Sequence, residues 1–394
     1  MSSPVKPSSP PVKFWRDPAK RALLFQLLLL CAVAAFIGFI INNTLNNLST
    51  RGITTGFGFL DDPAGFAIAQ SLIPYAETDT YGRTFVVGLL NTLLVSFLGI
   101  IGATLLGFVV GVARLSPNWL IARLASAYVE LFRNLPLLLQ MFFWYFAVLR
   151  TLPGPRDSLS LNDSAFLNVR GLYLPEPIPG AGFHWIWLAL LLALTLSFWL
   201  IRFNHRRQEA TGRRMPAWWI SAGLIVALPC LTFIGLGAPL EWSYPELRGF
   251  NFRGGMTIIP EFLALWLSLT VYTAAFIAEI VRSGIQAISH GQTEAAHALG
   301  IKDSLTLRLV IIPQAMRVII PPLTSQYLNL TKNSSLATAI GYPDLVSVFA
   351  GTTLNQTGQA IEVIAITMLV YLTISLLVSF FMNWFNNRMA LVER

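Results

Sequence analysis

Apolar positions in this chain fall into long unbroken runs, without the strict alternation of half-buried strands or the one-sided stripe of soluble helices. A helix that crosses a hydrocarbon layer needs about 20 mostly apolar residues. Eight stretches meet that requirement: 22–41, 85–112, 121–149, 184–201, 217–237, 259–281, 315–340 and 361–385. The first, ALLFQLLLLCAVAAFIGFII, contains no charged residue. Lys13, Arg16, Lys20 and Arg21 precede it, as they would in a signal peptide. Yet the run is longer than a signal segment's apolar region, and the following INNTLNNLSTRG offers no small-residue cleavage site. It reads as a retained anchor.

Polar residues inside these runs separate them into kinds. Segments 22–41, 184–201 and 217–237 are nearly pure hydrocarbon and suit contact with lipid. Segment 315–340 carries Pro321–Pro322, Gln326, Asn329, Lys332 and Asn333, together with Thr331, Ser334, Ser335 and Thr338. A lysine near the bilayer centre costs about 3 kcal/mol on insertion scales. Broken helices at membrane depth survive only inside protein or beside water. This segment is therefore expected to be an interior helix. Segment 121–149 holds Glu130, Arg133, Asn134 and Pro136, with Glu130 about 14 Å in from residue 121 at helical rise. The i,i+3 spacing lets Glu130 and Arg133 neutralise each other on one face; structural pairing and the lining of a translocation path both fit. Glu279 and Arg282 repeat that spacing at the end of segment 259–281, where a snorkelling interfacial ion pair is expected.

Composition agrees with bilayer as the main solvent. Of 394 residues, 55% are hydrophobic and 12% charged, against about 25% charged in soluble domains. The same numbers exclude a disordered chain. With the N-terminus placed in the cytoplasm and the spans alternating, inner segments collect 17 Lys or Arg residues and outer segments six. That asymmetry follows the positive-inside bias, puts both termini in the cytoplasm, and explains the net charge of +8 without nucleic acid. Residues 1–12, rich in Pro and Ser, read as a disordered tail. The loops 42–84, 151–183 and 238–258 are rich in Gly, Pro and Asn; 151–183 reads as extended or turn-like, and none of the three holds a soluble domain. Cys31 and Cys230 lie inside apolar runs and read as small core residues, which excludes a disulfide framework. Gly107 and Gly111 have the spacing of close helix packing. The four histidines fall at span ends or in loops and neither HExxH nor GxSxG occurs, so no catalytic residue, metal site or cofactor is expected.

The loop 282–314, RSGIQAISHGQTEAAHALGIKDSLTLRLVIIPQ, is the most informative stretch. Gly291 is expected to break the chain and Thr293 to N-cap a short helix through EAAHAL, which Gly300 closes as a C′ residue. Ser304 is expected to cap a second short helix through LTLRLVII that stops before Pro313. Small Ala295 and Ala296 permit close approach. Local chemistry leaves two uses open: docking into a partner's groove, or lying on lipid head groups.

Glu294-Ala295-Ala296-x-x-x-Gly300, followed after nine residues by Val310-Ile311-Ile312-Pro313, resembles the EAA motif of inner-membrane permease subunits of binding-protein-dependent ABC importers. Val310 and Ile312 depart from the family's usual Ile and Leu. GLLNTLLVS (88–96), ELFRNLPLLLQMFF (130–143), AFIAEIVRSGI (275–285), PQAMRVIIPPL (313–323) and LTKNSSLATAIGYPDL (330–345) resemble the polar amino acid branch, over about half the chain.

The resemblance implies an all-α polytopic membrane bundle of about eight transmembrane helices in the bacterial inner membrane. It divides the chain into a basic cytoplasmic tail (1–21), an extra leading span with its outer loop (22–84), the first part of a permease core (85–150), inserted loops with two extra spans (151–258), and the second core part (259–394), which contains a coupling loop at 284–313. That enlarged form resembles permeases of general L-amino acid importers. Glu294, Ala295, Ala296, Gly300 and Pro313 carry over as the coupling element. The implied partners are cytoplasmic ATP-binding subunits, a second similar permease and a periplasmic amino-acid-binding protein, with membrane lipid around them. No GxxxxGK[ST] loop occurs, so ATP hydrolysis is expected on a separate subunit. Depth and polarity nominate Glu130, Arg133, Asn134, Lys332, Asn333 and Ser335 for the substrate pathway. The rival reading is an ion- or proton-coupled carrier that uses intramembrane acids such as Glu130, Glu279 and Glu362.

Overall fold

The computed structural model describes residues 18–50, 55–212 and 215–389; the tail 1–12, Arg213, Arg214 and Arg394 lie outside the described residues. Twelve α-helices occur among them: α1 (Pro18–Thr50), α2 (Tyr81–Ala113), α3 (Trp119–Asn134), α4 (Leu137–Phe142), α5 (His184–Thr211), α6 (Ala217–Gly235), α7 (Pro260–Gln286), α8 (His290–Ala298), α9 (Asp303–Thr306), α10 (Ile312–Asn333), α11 (Leu354–Thr357) and α12 (Ala360–Met389). Among the described residues, seven helices are long and apolar enough to cross a membrane, and an eighth crossing forms if the bent α3–α4 pair counts as one.

The bundle is organised around α7, whose apolar stretch is 61% enclosed, against 28% for α2 and 0% for α1. In lipid there is no hydrophobic drive between helices, so small residues that let backbones approach do the work. One edge of α2 supplies them at four-residue spacing: Gly99, Ala103, Gly107 and Gly111 are all buried. A Cβ at Gly107 would stand 2.6 Å from that of Ile277, and one at Gly111 2.7 Å from that of Val281. Both glycines are therefore required by contact with α7. Cys31 and Cys230, expected inside, are exposed on α1 and α6, because α1 is uncovered along its apolar stretch and α6 is covered only on the side that meets α5.

Segment 121–149 is not one straight helix. Leu135 and Pro136 are extended, and the chain bends by 105° between α3 and the helical stretch 137–151. Proline disfavours the helical region at the residue before it and has no N–H to donate. The carbonyls freed at the break are met from within: Gln140 Nε2 donates to Phe132 O at 3.1 Å and to Leu135 O at 3.0 Å.

The loop 151–183 is more ordered than its composition suggested. Strands β1 (Leu159–Leu161), β2 (Ala165–Asn168) and β3 (Gly171–Leu174) form an antiparallel meander. β4 (Glu176–Pro179) pairs with β5 (Leu240–Ser243), β6 (Glu246–Arg248) with β7 (Asn251–Arg253), and β8 (Met256–Ile258) with β3. Gly171, at φ +129°, sits where any Cβ would meet Ile258 O at 2.3 Å. Phe252 packs between Phe166 and Tyr173, at centroid distances of 4.5 and 4.9 Å. The α5–α6 hairpin is inserted between the paired strands β4 and β5, so this small sheet layer forms its neck.

Replacing Gly107 by Val is expected to overpack the α2–α7 contact and cost about 1–3 kcal/mol. The melting temperature of the purified protein in detergent reads this. Gly38→Val, on a surface of α1 with nothing within 4 Å, should leave that temperature unchanged.

Candidate functional site

Three polar constellations interrupt the apolar bundle. The first lies at the end of α7 away from the sheet layer. Glu279 accepts from Arg114 of α2, and from Arg282 Nη2 of its own helix at 2.5 Å. Arg133 of α3 stands 3.9 Å away, with its guanidinium 5.2 Å from the ring centre of Phe276. The expected Glu279–Arg282 pair is thus part of a larger node, in which one carboxylate draws arginines from three helices. The expected Glu130–Arg133 pair does not form, because Arg133 turns to α7. Glu130 is exposed with no side-chain partner among the described residues; its carbonyl accepts from Asn134 Nδ2 at 2.7 Å.

The second constellation is the loop 287–311. α8 begins at His290 with Ser289 as N-cap, so Gly291 lies inside the helix and Thr293 does not cap it. Gly300 closes α8 as expected. It has φ +71°, its N–H donates to His297 O at 2.8 Å, and Ile301 N–H donates to Ala296 O at 3.1 Å. These are the two bonds of a Schellman ending.

The second short helix departs from expectation. It starts at Asp303 with Lys302 as N-cap, not Ser304, and it does not stop before Pro313. A π turn over Leu307–Ile311 widens the helix ahead of the proline, and α10 continues through it. α8 is fastened to this long helix by His297 Nε2 to Asp303 Oδ1 at 2.8 Å and by Gln314 Nε2 to Gln292 Oε1 at 3.2 Å. Ala296 is buried against the protein, whereas Glu294, Ala295 and Leu299 project outward, Leu299 being 80% exposed.

The third constellation runs along α10. Ser325, Asn329 and Lys332, three or four residues apart, form an exposed polar stripe on a helix of spanning length. The expectation of an interior helix holds for its other side, where Ile319, Ile320, Leu323 and Leu330 are buried. Lys332 and Ser335 line an open groove of about 450 Å³ with Thr367, Tyr371 and Ser375 of α12. Asn333 is half-buried beside them.

Behind that groove lies a buried network that sequence reasoning did not single out. Gly341, at φ +79°, ends the 3₁₀ turn Ser334–Ile340 and drops residues 342–345 onto α2. Asn91 Nδ2 donates to Pro343 O and to Gln70 O, each at 2.8 Å, and Leu345 N donates to Thr92 Oγ1 at 3.0 Å. Asp344, wholly buried, accepts from Ser347 N at 2.9 Å. Its available signal was the GYPDL turn following a polar span. The six nominated pathway residues therefore fall into two groups: Lys332, Asn333 and Ser335 at the α10 junction, and Glu130, Arg133 and Asn134 at the end of α3. Among the described residues, no three His, Cys, Asp or Glu side chains gather as metal ligands do.

Apolar crossings, a spanning helix with a polar face, and a short helix clipped on at one end define a polytopic membrane protein. Residues 211–391 match the family described as the inner membrane component of binding-protein-dependent transport systems. Over 96% of each chain, 61% of residues are identical to YhdX of Escherichia coli, named provisionally as an amino-acid ABC transporter permease protein. Identity is 52% to AapQ, the general L-amino acid transport system permease protein of Rhizobium johnstonii, covering 96% of this chain and 94% of that one. It is 45% to BztB, a glutamate/glutamine/aspartate/asparagine transport system permease protein of Rhodobacter capsulatus, covering 96% of each. The chain belongs to the amino-acid permeases of this family and is a multi-pass protein of the bacterial inner membrane.

Glu279→Gln would leave Arg114, Arg133 and Arg282 without their counter-charge. A loss of about 2 kcal/mol is expected, in the range for hydrogen bonds to charged groups. The melting temperature in detergent should fall, and raising the salt should narrow the gap to wild type.

Proposed function

We propose that this chain forms one half of the membrane pore of an ATP-driven importer that brings polar L-amino acids into the cytoplasm by alternating access. The observation that carries the reading is the polar stripe on α10. A lysine and an asparagine on an exposed face at membrane depth are costly against lipid, and such residues face a bundle interior or a water-filled path. A second, similar permease placed against this face would enclose the path. Lys332, Asn333 and Ser335 on α10 and its extension, with Glu130, Arg133 and Asn134 on α3, are the groups we assign to it. An amino acid carries an ammonium and a carboxylate, and this set offers cations, an acid and neutral hydrogen-bonding groups.

We assign the end bearing α8 to the cytoplasm, with both termini on that side, and the sheet layer to the side where a periplasmic amino-acid-binding protein delivers its cargo. ATP hydrolysis belongs to separate cytoplasmic subunits. α8, held by its Schellman ending and by two side-chain bonds to the long α9–α10 helix, is a rigid knob that presents Glu294, Ala295 and Leu299 to such a subunit. Gly300 supplies the left-handed turn behind it, and Pro313 marks the place where the π turn joins α10. Movement of the knob is passed along an unbroken helix to the polar stripe. Alternating access requires two states of this bundle biased by nucleotide on the partner.

Lys332→Met and Arg133→Met are each expected to abolish amino acid uptake in reconstituted vesicles while the subunits still co-purify; normal uptake by both variants would remove the pathway assignment. Glu294→Lys is expected to leave a folded subunit whose partner hydrolyses ATP with little stimulation by loaded binding protein. Unchanged stimulation would count against docking of α8.

A further inference from the structure

The α5–α6 hairpin is joined to the rest of the molecule in an unusual way. Its two helices pack extensively along each other and on no bundle helix to a comparable extent. Ala189, Ala193 and Ser197 of α5 are buried, as are Ala217 and Ser221 of α6. Asn204 ties the end of α5 to the connection ahead of α6 by accepting from Met215 N at 3.0 Å. Its neck is the β4–β5 pair. Chain direction places the far end of α5, the start of α6 and the end of α12 together at the α8 end of the molecule, where the apolar spans finish. Between the hairpin and α12 at this level is a crevice of about 700 Å³.

That crevice is lined by Arg202, Arg206 and Arg388, with His205, Phe198 and Trp218. Among the described residues, none of the three arginines has a carboxylate within 4 Å. Glu209, the nearby acid on α5, is taken by His205 at 3.1 Å, and Arg388 stacks on Trp384 at 4.7 Å. Among the described residues, three arginines with no carboxylate partner therefore face a gap whose membrane side is apolar and whose rim is aromatic. Trp218 and Trp219, 72% and 82% exposed, mark the level where the hydrocarbon ends. A gap at that depth must be filled, and water alone would leave Phe198 and Ile201 unpacked.

We propose that the crevice is a binding site for one anionic phospholipid. Its phosphate would be held by Arg202, Arg206 and Arg388, and its acyl chains would run along Phe198, Ile201 and Trp218 between the hairpin and α12. Basic pockets between spanning helices select acidic head groups in this way. A zwitterionic lipid carries its own cation and would leave the three arginines uncompensated. The lipid would act as mortar, joining the hairpin to the bundle where protein contacts are sparse. This site stands independently of what the transporter carries.

The test is native mass spectrometry of the full-length chain, released from nanodiscs containing equal phosphatidylglycerol and phosphatidylcholine. Wild type is expected to retain one phosphatidylglycerol and no phosphatidylcholine. The R202Q/R206Q/R388Q variant should bind it about a hundredfold more weakly, each charge contributing roughly a factor of five. The matching triple Lys variant should keep it. Inorganic phosphate at millimolar concentration should not displace the lipid, which separates a lipid site from a free-phosphate site. Equal retention of the two lipids by wild type would overturn the proposal, and this arm does not depend on any variant folding. So would undiminished phosphatidylglycerol in the Gln variant, displacement by phosphate alone, or a second copy of the chain covering the crevice in place of lipid.

Discussion

Polar atoms within a bilayer have no water to turn to, and each must find its partner inside the protein or in a cavity that the protein builds. Much of this architecture follows from that constraint. The break at Leu135–Pro136 is tolerable because Gln140 reaches back to two freed carbonyls. The non-helical turn 341–345 survives at the edge of the bundle because Asn91 and Thr92 of α2 meet its backbone. Glu279 can sit near the end of α7 because arginines from two other helices converge on it. Along Ser325, Asn329 and Lys332 the rule goes unmet within the single chain, since these polar side chains stay exposed on a helix of spanning length.

Close packing and polar pairing act on the same helices. Gly107 and Gly111 bring the α2 backbone within contact of Ile277 and Val281. One turn beyond Gly111, Arg114 is delivered to Glu279. A bulkier residue at either glycine would displace the arginine as well as the helix, so packing and electrostatics are not independent here. The outer parts of the chain obey a looser regime. α1 and the α5–α6 hairpin offer apolar surface nearly all round, and lipid is an adequate neighbour for them.

The connection from α8 into α10 has mechanical consequences. Two separate short helices would have given a soft joint beneath the bundle. The structure has instead one short helix clipped to a long continuous one, with a π turn at 307–311 just ahead of Pro313, which lies in the first turn of α10. Rigid elements transmit displacement over distance, and the polar stripe lies on the element so connected.

Spans were legible in the residue order because membrane insertion is decided locally: some twenty apolar residues suffice, whatever their neighbours. Gly300 was legible too, since a left-handed closing position selects glycine for reasons internal to one turn. The helix-to-helix assignments were not. Arg133 pairs with Glu279 and not with Glu130, because the choice depends on which helices cross, and spacing along one helix cannot report that. The β3–β8 pairing joins residues more than eighty positions apart, across an inserted hairpin; the composition of 151–183 showed extended, turn-rich chain but not which segments pair. Likewise the start signal at Ser304 missed the observed N-cap, Lys302, by only two residues. The stop expected before Pro313 did not occur, because a π turn over 307–311 leads straight into α10 and the proline falls in its first turn, where it is tolerated. Local chemistry thus determined which segments enter the membrane and where one of them turns. Which charges meet, which face of α10 remains uncovered and where the crevice opens were decided by tertiary packing, which brings together groups that no sequence window contains.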